Sequence, residues 1–270
     1  MMAGFRQNMF GNKMFYLNEH FHKNHLERIN IQDRGLLLGD GLFETLRADQ
    51  HNIAFFKEHY NRLKNSADFL EIPLNKSQFE LQTICEILLQ KNQLRQTAAI
   101  RITLTRGASD RGIGLPEKTT PTLLITANAY SAPTKSITAY LTNNCVNEHS
   151  LLAQHKTLEY SENILARKLA KAQGADEAIL VNTKGNLVET SVGNLFIEID
   201  GTLITPPLSE GALPGIMREH IIKDSQLKGK PCVEETITPN DLLLMTACFH
   251  CNSLIGKQMI TTVESPEKGC

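Results

Sequence analysis

Apolar residues fall into two rhythms along this chain. Alternation at residues 14–17 and 41–47 predicts strands. A 3.6-residue period then sets Tyr60, Leu63, Ala67 and Leu70 on one face of a helix over about 59–70. A second helix runs to Gln90, with Ser77 as N-cap, Glu80 three residues on, and Leu81, Ile84, Cys85 and Leu88 as its apolar face. Alternation returns at 98–105 and 122–128, around a loop rich in Gly and Asp. After the connector AYSAPTK (residues 129–135) come a strand near 137–143 and a helix over 161–173, roughly 20 Å long, capped by Ser161 and stopped by Gly174. Strands at 178–182 and 187–190 flank a turn at 183–186. Strands at 195–199 and 202–205 flank Asp200-Gly201, a strong two-residue hairpin signal. Pro214-Gly215 opens a helix over 216–225, and a buried strand follows over 242–249. The pattern predicts an α+β chain of two domains, residues 1–128 and 136–270 joined by the 129–135 linker, with mainly antiparallel sheets and outer helices.

Composition narrows the function classes. Of the 270 residues 41% are hydrophobic, enough for sizeable cores, and the net charge of -1 offers no general attraction to nucleic acid or anionic membrane. No apolar run approaches the ~18 residues of a spanning helix, and MMAGFRQNMFGNK has no secretory pattern, so a cytoplasmic protein is expected. The six cysteines are irregularly spaced. Cys248 and Cys251 bracket His250 at C-x-x-C spacing but lack a second ligand pair, so buried reduced thiols are expected and no metal.

Chemistry concentrates between His155 and Arg218. Lys156 is the candidate nucleophilic amine. At an ordinary pKa of ~10.4 only about one lysine in a few thousand is a free amine at neutral pH, so Schiff-base chemistry needs a depressed pKa or a preformed bond. The neighbouring Leu151, Leu152, Ala153 and Leu158 are compatible with a partly dry position. Glu189, ending a strand, is either an edge carboxylate or the acid that keeps a pyridine nitrogen protonated. The run Gly211–Arg218 supplies N–H groups at a helix start, suited to a phosphate dianion, although Pro-Gly is also common punctuation. Arg62 offers a fork for the same phosphate or sits exposed on its helix. Asn252 and Ser253 either complete a phosphate cup or are turn residues.

These segments resemble the class IV aminotransferase-like family, the fold-type IV pyridoxal-phosphate enzymes. The resemblance runs through DRGLLLGDGLFETLR, HYNRL, TRGASDRG, HKTLEY, GADEAILVNTKGNLVETSVGNLF, TPPLSEGALPGIMR and CNSLIG. It implies a two-domain fold like that of D-amino-acid aminotransferase, pyridoxal 5'-phosphate as cofactor, a small-molecule amino substrate, and a homodimer whose site borrows a loop from the neighbouring subunit. By position, Lys156 resembles the Schiff-base lysine, Glu189 the ring-nitrogen partner and Arg62 the phosphate arginine. Ile216, Met217, Asn252 and Ser253 match the remaining phosphate ligands. Arg111 resembles a substrate-carboxylate arginine, but Ile113 stands where D-amino-acid aminotransferases carry a histidine, and Phe43 where they carry a tyrosine.

Within the family the pattern is most similar to aminodeoxychorismate lyases, which implies formation of 4-aminobenzoate and pyruvate for folate biosynthesis. A D-amino-acid or branched-chain transaminase is the alternative. A cofactor binder without turnover has no need of both Lys156 and Glu189. Glu159, Ile113 and the run 256–259 depart from the lyase pattern and bear on the substrate pocket.

Overall fold

The computed structural model describes residues 13–23 and 28–265. The N-terminal stretch read for a signal lies outside these residues except for Lys13, and Cys270 also lies outside them. The chain divides into two compact units, Met1–Ser131 and Ala132–Cys270.

The first unit contains β1 (Phe15–Leu17), β2 (His20–His22), α1 (Arg34–Leu38), β3 (Gly41–Asp49), β4 (Asn52–Ile53), α2 (Phe56–Phe69), α3 (Gln78–Lys91), β5 (Ala98–Thr105) and β6 (Thr122–Ala129). Its sheet has the order β2-β1-β6-β5-β3-β4, and each pairing is antiparallel. Alternation decides which face is covered. Leu42, Leu46 and Ala48 of β3 and Ala98, Ile100, Ile102 and Leu104 of β5 pack with Leu63, Ala67, Leu81 and Leu88 of α2 and α3. The predicted capping box on α3 is present, Ser77 and Glu80 each bonding the other's backbone.

The second unit contains β7 (Ile137–Val146), α4 (Ser161–Ala172), β8 (Glu177–Asn182), β9 (Leu187–Thr190), β10 (Asn194–Ile199), β11 (Thr202–Thr205), α5 (Ile216–Leu227), β12 (Cys232–Glu234), β13 (Ala247–Asn252) and β14 (Gly256–Glu264). Its strand order is β12-β11-β10-β13-β14-β7-β8-β9, and β9 also pairs with β10, so part of the sheet closes into a ring. Parallel pairings occur at β7–β8, β7–β14 and β11–β12; the others are antiparallel. In the β10–β11 hairpin Asp200 and Gly201 have φ of 49° and 75°, the left-handed pair of a primed two-residue turn. The mixed α+β architecture with mainly antiparallel sheets agrees with expectation.

Several local expectations need correction. Ser161 is the first residue of α4 rather than its cap; Tyr160 occupies the cap position and makes no side-chain cap bond. The strand expected over 242–249 is displaced, because Pro239–Leu243 forms a 3-10 turn with a Thr238/Asp241 capping box and β13 begins at Ala247. Residue 129 completes β6 rather than starting a linker. Helix α1 and strand β14 carried no clear periodicity. Leu36, Leu37 and Leu38 of α1 are all exposed, and on β14 only Ile260 is buried. Cys248 and Cys251, three apart on a strand, enter different apolar clusters, and burial pushes both thiols up to about 12. None of the described helices is long and apolar enough to cross a membrane.

Candidate active site

Lys156 lies in the connection between β7 and α4 and is partly buried. Its Nζ donates to the Tyr160 hydroxyl at 2.9 Å. Both residues line a cavity of about 430 Å³ in the second unit, together with Glu189, Leu213, His155, Leu152 and Ala153. That volume lies within the range of small-molecule sites. The expected dry flank is therefore partial: Leu152 and Ala153 face the cavity, whereas Leu151 is 79% exposed. Burial lowers the pKa of His155, favouring its neutral imidazole beside the lysine.

Closure of the sheet ring positions Glu189. Asn194 of β10 pairs with Glu189 of β9, and its Nδ2 donates both to Glu189 Oε2 at 3.2 Å and to the Leu213 carbonyl at 2.8 Å. The Leu213 N–H donates to the same carboxylate oxygen at 3.4 Å. The segment between β11 and α5 is fastened midway by buried Glu210. That carboxylate accepts from Thr236 at 2.7 Å, from Asn186 at 3.1 Å and from Asn182. Burial alone would raise the Glu210 pKa, but these hydrogen bonds bring it below the ordinary value.

This fastened segment leads to the N-terminus of α5. Gly215 occupies the cap position and has no side chain to cap the first turn, which carries Ile216 and Met217. A Cβ at Gly215 would stand 1.9 Å from Asn194 Oδ1, so only glycine lets the helix start approach the residue that holds Glu189. Asn252 ends β13. Its Oδ1 accepts from the Leu254 and Ile255 amides at 2.9 and 3.0 Å, and its Nδ2 donates to the Val192 carbonyl at 3.0 Å. Its side chain thus shapes the turn that carries Ser253.

Arg62, Phe43 and Arg111 belong to the first unit. Glu44 points from β3 into the face covered by α2, as an acid within an apolar row. Arg62 Nε and Nη2 each donate to its carboxylate at 2.7 Å, and His59 Nδ1 lies 2.7 Å from it. Burial would raise the Glu44 pKa, yet the charge and hydrogen bonds of Arg62, then those of His59, bring it down to about 2. Phe43 points to the opposite sheet face, where the Arg101 guanidinium lies 3.8 Å from its ring centroid. Arg111 is exposed on the loop between β5 and β6.

The structure therefore brings Lys156 and Glu189 to one cavity and sets the α5 start beside the residue that holds Glu189. Three contributors escaped sequence reading. Tyr160 sits four residues after Lys156, but no helix joins them to signal contact. Asn194 reaches Glu189 only through strand pairing, and Arg101 is marked only by its strand parity with Phe43.

The family model for amino-transferase class IV matches residues 41–263. The chain belongs to this family. The motif resemblance is borne out, and the protein is an enzyme of pyridoxal-phosphate chemistry. The residues present suit that group: an amine and a carboxylate on one cavity, and a helix start whose cap position tolerates no Cβ.

Among similar class IV proteins, a Methanocaldococcus jannaschii protein assigned as a branched-chain-amino-acid aminotransferase is 34% identical, covering 87% of this chain and 82% of its own. A Staphylococcus aureus D-alanine aminotransferase is 30% identical, covering 83% and 79%. A crystal structure from Legionella pneumophila, assigned as a 4-amino-4-deoxychorismate lyase, is 30% identical with a TM-score of 0.82, covering 88% of each chain.

Proposed function

We propose that this class IV enzyme is a 4-amino-4-deoxychorismate lyase, releasing 4-aminobenzoate and pyruvate. The observation that carries the chemistry is that Lys156 and Glu189 line one cavity. Bound pyridoxal phosphate supplies an electron sink for the carbanion formed next to the substrate nitrogen. Lys156 holds the cofactor in the resting enzyme, then acts as general base on the C4 proton of the substrate. Tyr160 orients its amine. Glu189, fixed by Asn194 and the Leu213 N–H, keeps the cofactor's ring nitrogen protonated. Arg62, the Ile216 and Met217 N–H groups, Asn252 and Ser253 hold the phosphate. Arg111 anchors a substrate carboxylate, with Phe43 as an apolar wall.

The lyase branch is supported by Ile113 and Phe43, which stand where D-amino-acid aminotransferases use polar groups, and by the 30% identity to the Legionella protein. Transamination of a D-amino acid or a branched-chain amino acid is the second reading, favoured by the M. jannaschii and S. aureus relatives. We also assign the enzyme to the cytoplasm and to a homodimer. Exposed Ile31, Leu36, Leu37, Ile113 and Leu115 of the first unit supply apolar surface for such an interface.

Purified holoenzyme is to be incubated with 4-amino-4-deoxychorismate and, separately, with D-alanine or L-leucine plus 2-oxoglutarate. Formation of 4-aminobenzoate with equimolar pyruvate supports the lyase. Glutamate formation without 4-aminobenzoate replaces it with the transaminase.

A further inference from the structure

The β5–β6 loop, residues 106–121, carries Arg111 and is fastened by two adjacent residues. Asp33 secures its base. One carboxylate oxygen accepts from Thr105 at 2.9 Å and Thr122 at 2.7 Å, the ends of the two strands, while the other caps α1 through the Gly35 N–H. The loop's base also makes backbone bonds, from Arg34 N to the Gly107 carbonyl and from Ser109 N to the Gln32 carbonyl. Gly107 has φ of 85°, and a Cβ there would stand 1.8 Å from the Thr120 carbonyl oxygen, so the loop's two arms touch through a glycine.

The tip is held by a side chain. Arg34, 4% exposed, spreads its guanidinium over three successive carbonyls. Nη1 donates to Gly112 O and Gly114 O, both at 3.1 Å, and to Ser109 Oγ at 3.2 Å; Nη2 donates to Ile113 O at 3.3 Å. Nε is anchored on Asp40 Oδ2 at 2.7 Å, an oxygen that Arg106 Nε also meets at 2.7 Å. Converging carbonyl dipoles repel one another unless a cation lies between them, and only a planar fork reaches all three at once. A buried arginine thus fixes the backbone on either side of exposed Arg111.

We propose that Arg34 is a positioning residue for substrate selection, holding the 109–114 turn so that Arg111 is presented to a substrate carboxylate. The proposal rests on the role assigned to Arg111 above. It goes beyond that role because Arg34 acts through another residue and leaves cofactor and proton transfer untouched.

The test is a double-mutant cycle on holoenzyme. Steady-state kinetics are measured with 4-amino-4-deoxychorismate, or with D-alanine should only transamination be detected, and amide exchange is followed across 109–114. Arg34→Lys keeps the charge and loses the fork. It is expected to raise KM about tenfold while kcat and the visible absorbance of bound cofactor stay put, since loss of substrate positioning reads as weaker binding. Amides of the turn should exchange faster. Arg111→Ala should raise KM similarly, and the double variant should be no worse than Arg111→Ala alone. Should Arg34→Lys lose the cofactor absorbance, Ser109→Ala, which removes the hydroxyl's bonds to Arg34 and to the Asp110 carbonyl, takes its place with an expected KM rise of about twofold to threefold.

Unchanged KM with unchanged exchange, or losses that multiply in the double variant, overturns the proposal. An Arg111→Ala enzyme with wild-type KM, alongside faster exchange in Arg34→Lys, sinks the Arg111 assignment and the link to substrate, and leaves the clamp as a loop fastener only.

Discussion

The two units hold their key side chains by different means. In the first, arginines are bound to carboxylates in partly or fully buried pairs: Arg62 with Glu44, and Arg34 and Arg106 with Asp40. In the second, Lys156 meets a phenol, and Glu189 meets an amide side chain and a backbone N–H. A bidentate ion pair fixes direction, which suits the phosphate-positioning role proposed for Arg62. In the proposed mechanism Lys156 must form and release a bond, and the Tyr160 hydroxyl is an acceptor that orients its amine. The first unit thus shows carboxylate clamps on its arginines, and the second shows a hydroxyl on Lys156 and amide donors on Glu189.

The largest expected effect falls on the second unit. Lys156→Ala should abolish turnover and the visible absorbance of bound cofactor; appreciable turnover would remove the lysine from the mechanism. Glu189→Gln should retain cofactor but lower kcat by on the order of 10²-fold, comparable to loss of one preorganised electrostatic group. A wild-type kcat would dissolve the distinction drawn for Glu189.

In the first unit the effects should appear in stability. Glu44→Gln breaks a buried pair and is expected to cost roughly 3 kcal/mol, measured by denaturant unfolding. Its pH dependence has a definite sign. The Glu44 pKa is depressed, to about 2, so its contribution is complete above the ordinary carboxylate pKa and is lost as pH falls towards about 2. Wild type should therefore lose Tm across that acid window more steeply than Glu44→Gln. Parallel curves would show that the pair does not set acid stability. Tyr160→Phe is the mildest change, expected to reduce kcat by no more than about tenfold through loss of one hydrogen bond. A loss as large as that of Lys156→Ala would make the phenol a proton carrier rather than a support.

Much of the fold was legible because burial writes itself as periodicity. Strand β5 has its predicted limits, Ala98–Thr105, since alternate residues enter the core. The Ser77/Glu80 box and the Asp200-Gly201 turn were readable because each acts over two to four residues. Helix α1, with three exposed leucines, and β14, with one buried residue, had no such rhythm to show. The 242–249 expectation failed because Leu242, Leu243 and Leu244 look like a strand, while Thr238-Pro239 starts a 3-10 turn ahead of them.

Lys156 and Glu189, named through family resemblance, line one cavity, but the side chains that support them were not legible. Asn194 reaches Glu189 by strand pairing, Glu210 fastens the loop before α5 by long-range hydrogen bonds, and Arg34 meets a turn far along the chain. Contacts made through folding leave no local mark in a sequence.

Lys156 is the residue proposed to carry the cofactor. Holoenzyme is to be reduced with borohydride, digested, and sequenced by mass spectrometry. The account predicts one phosphopyridoxyl adduct, on the ε-nitrogen of Lys156. An adduct on another lysine, or none in protein whose visible absorbance shows bound cofactor, would contradict it.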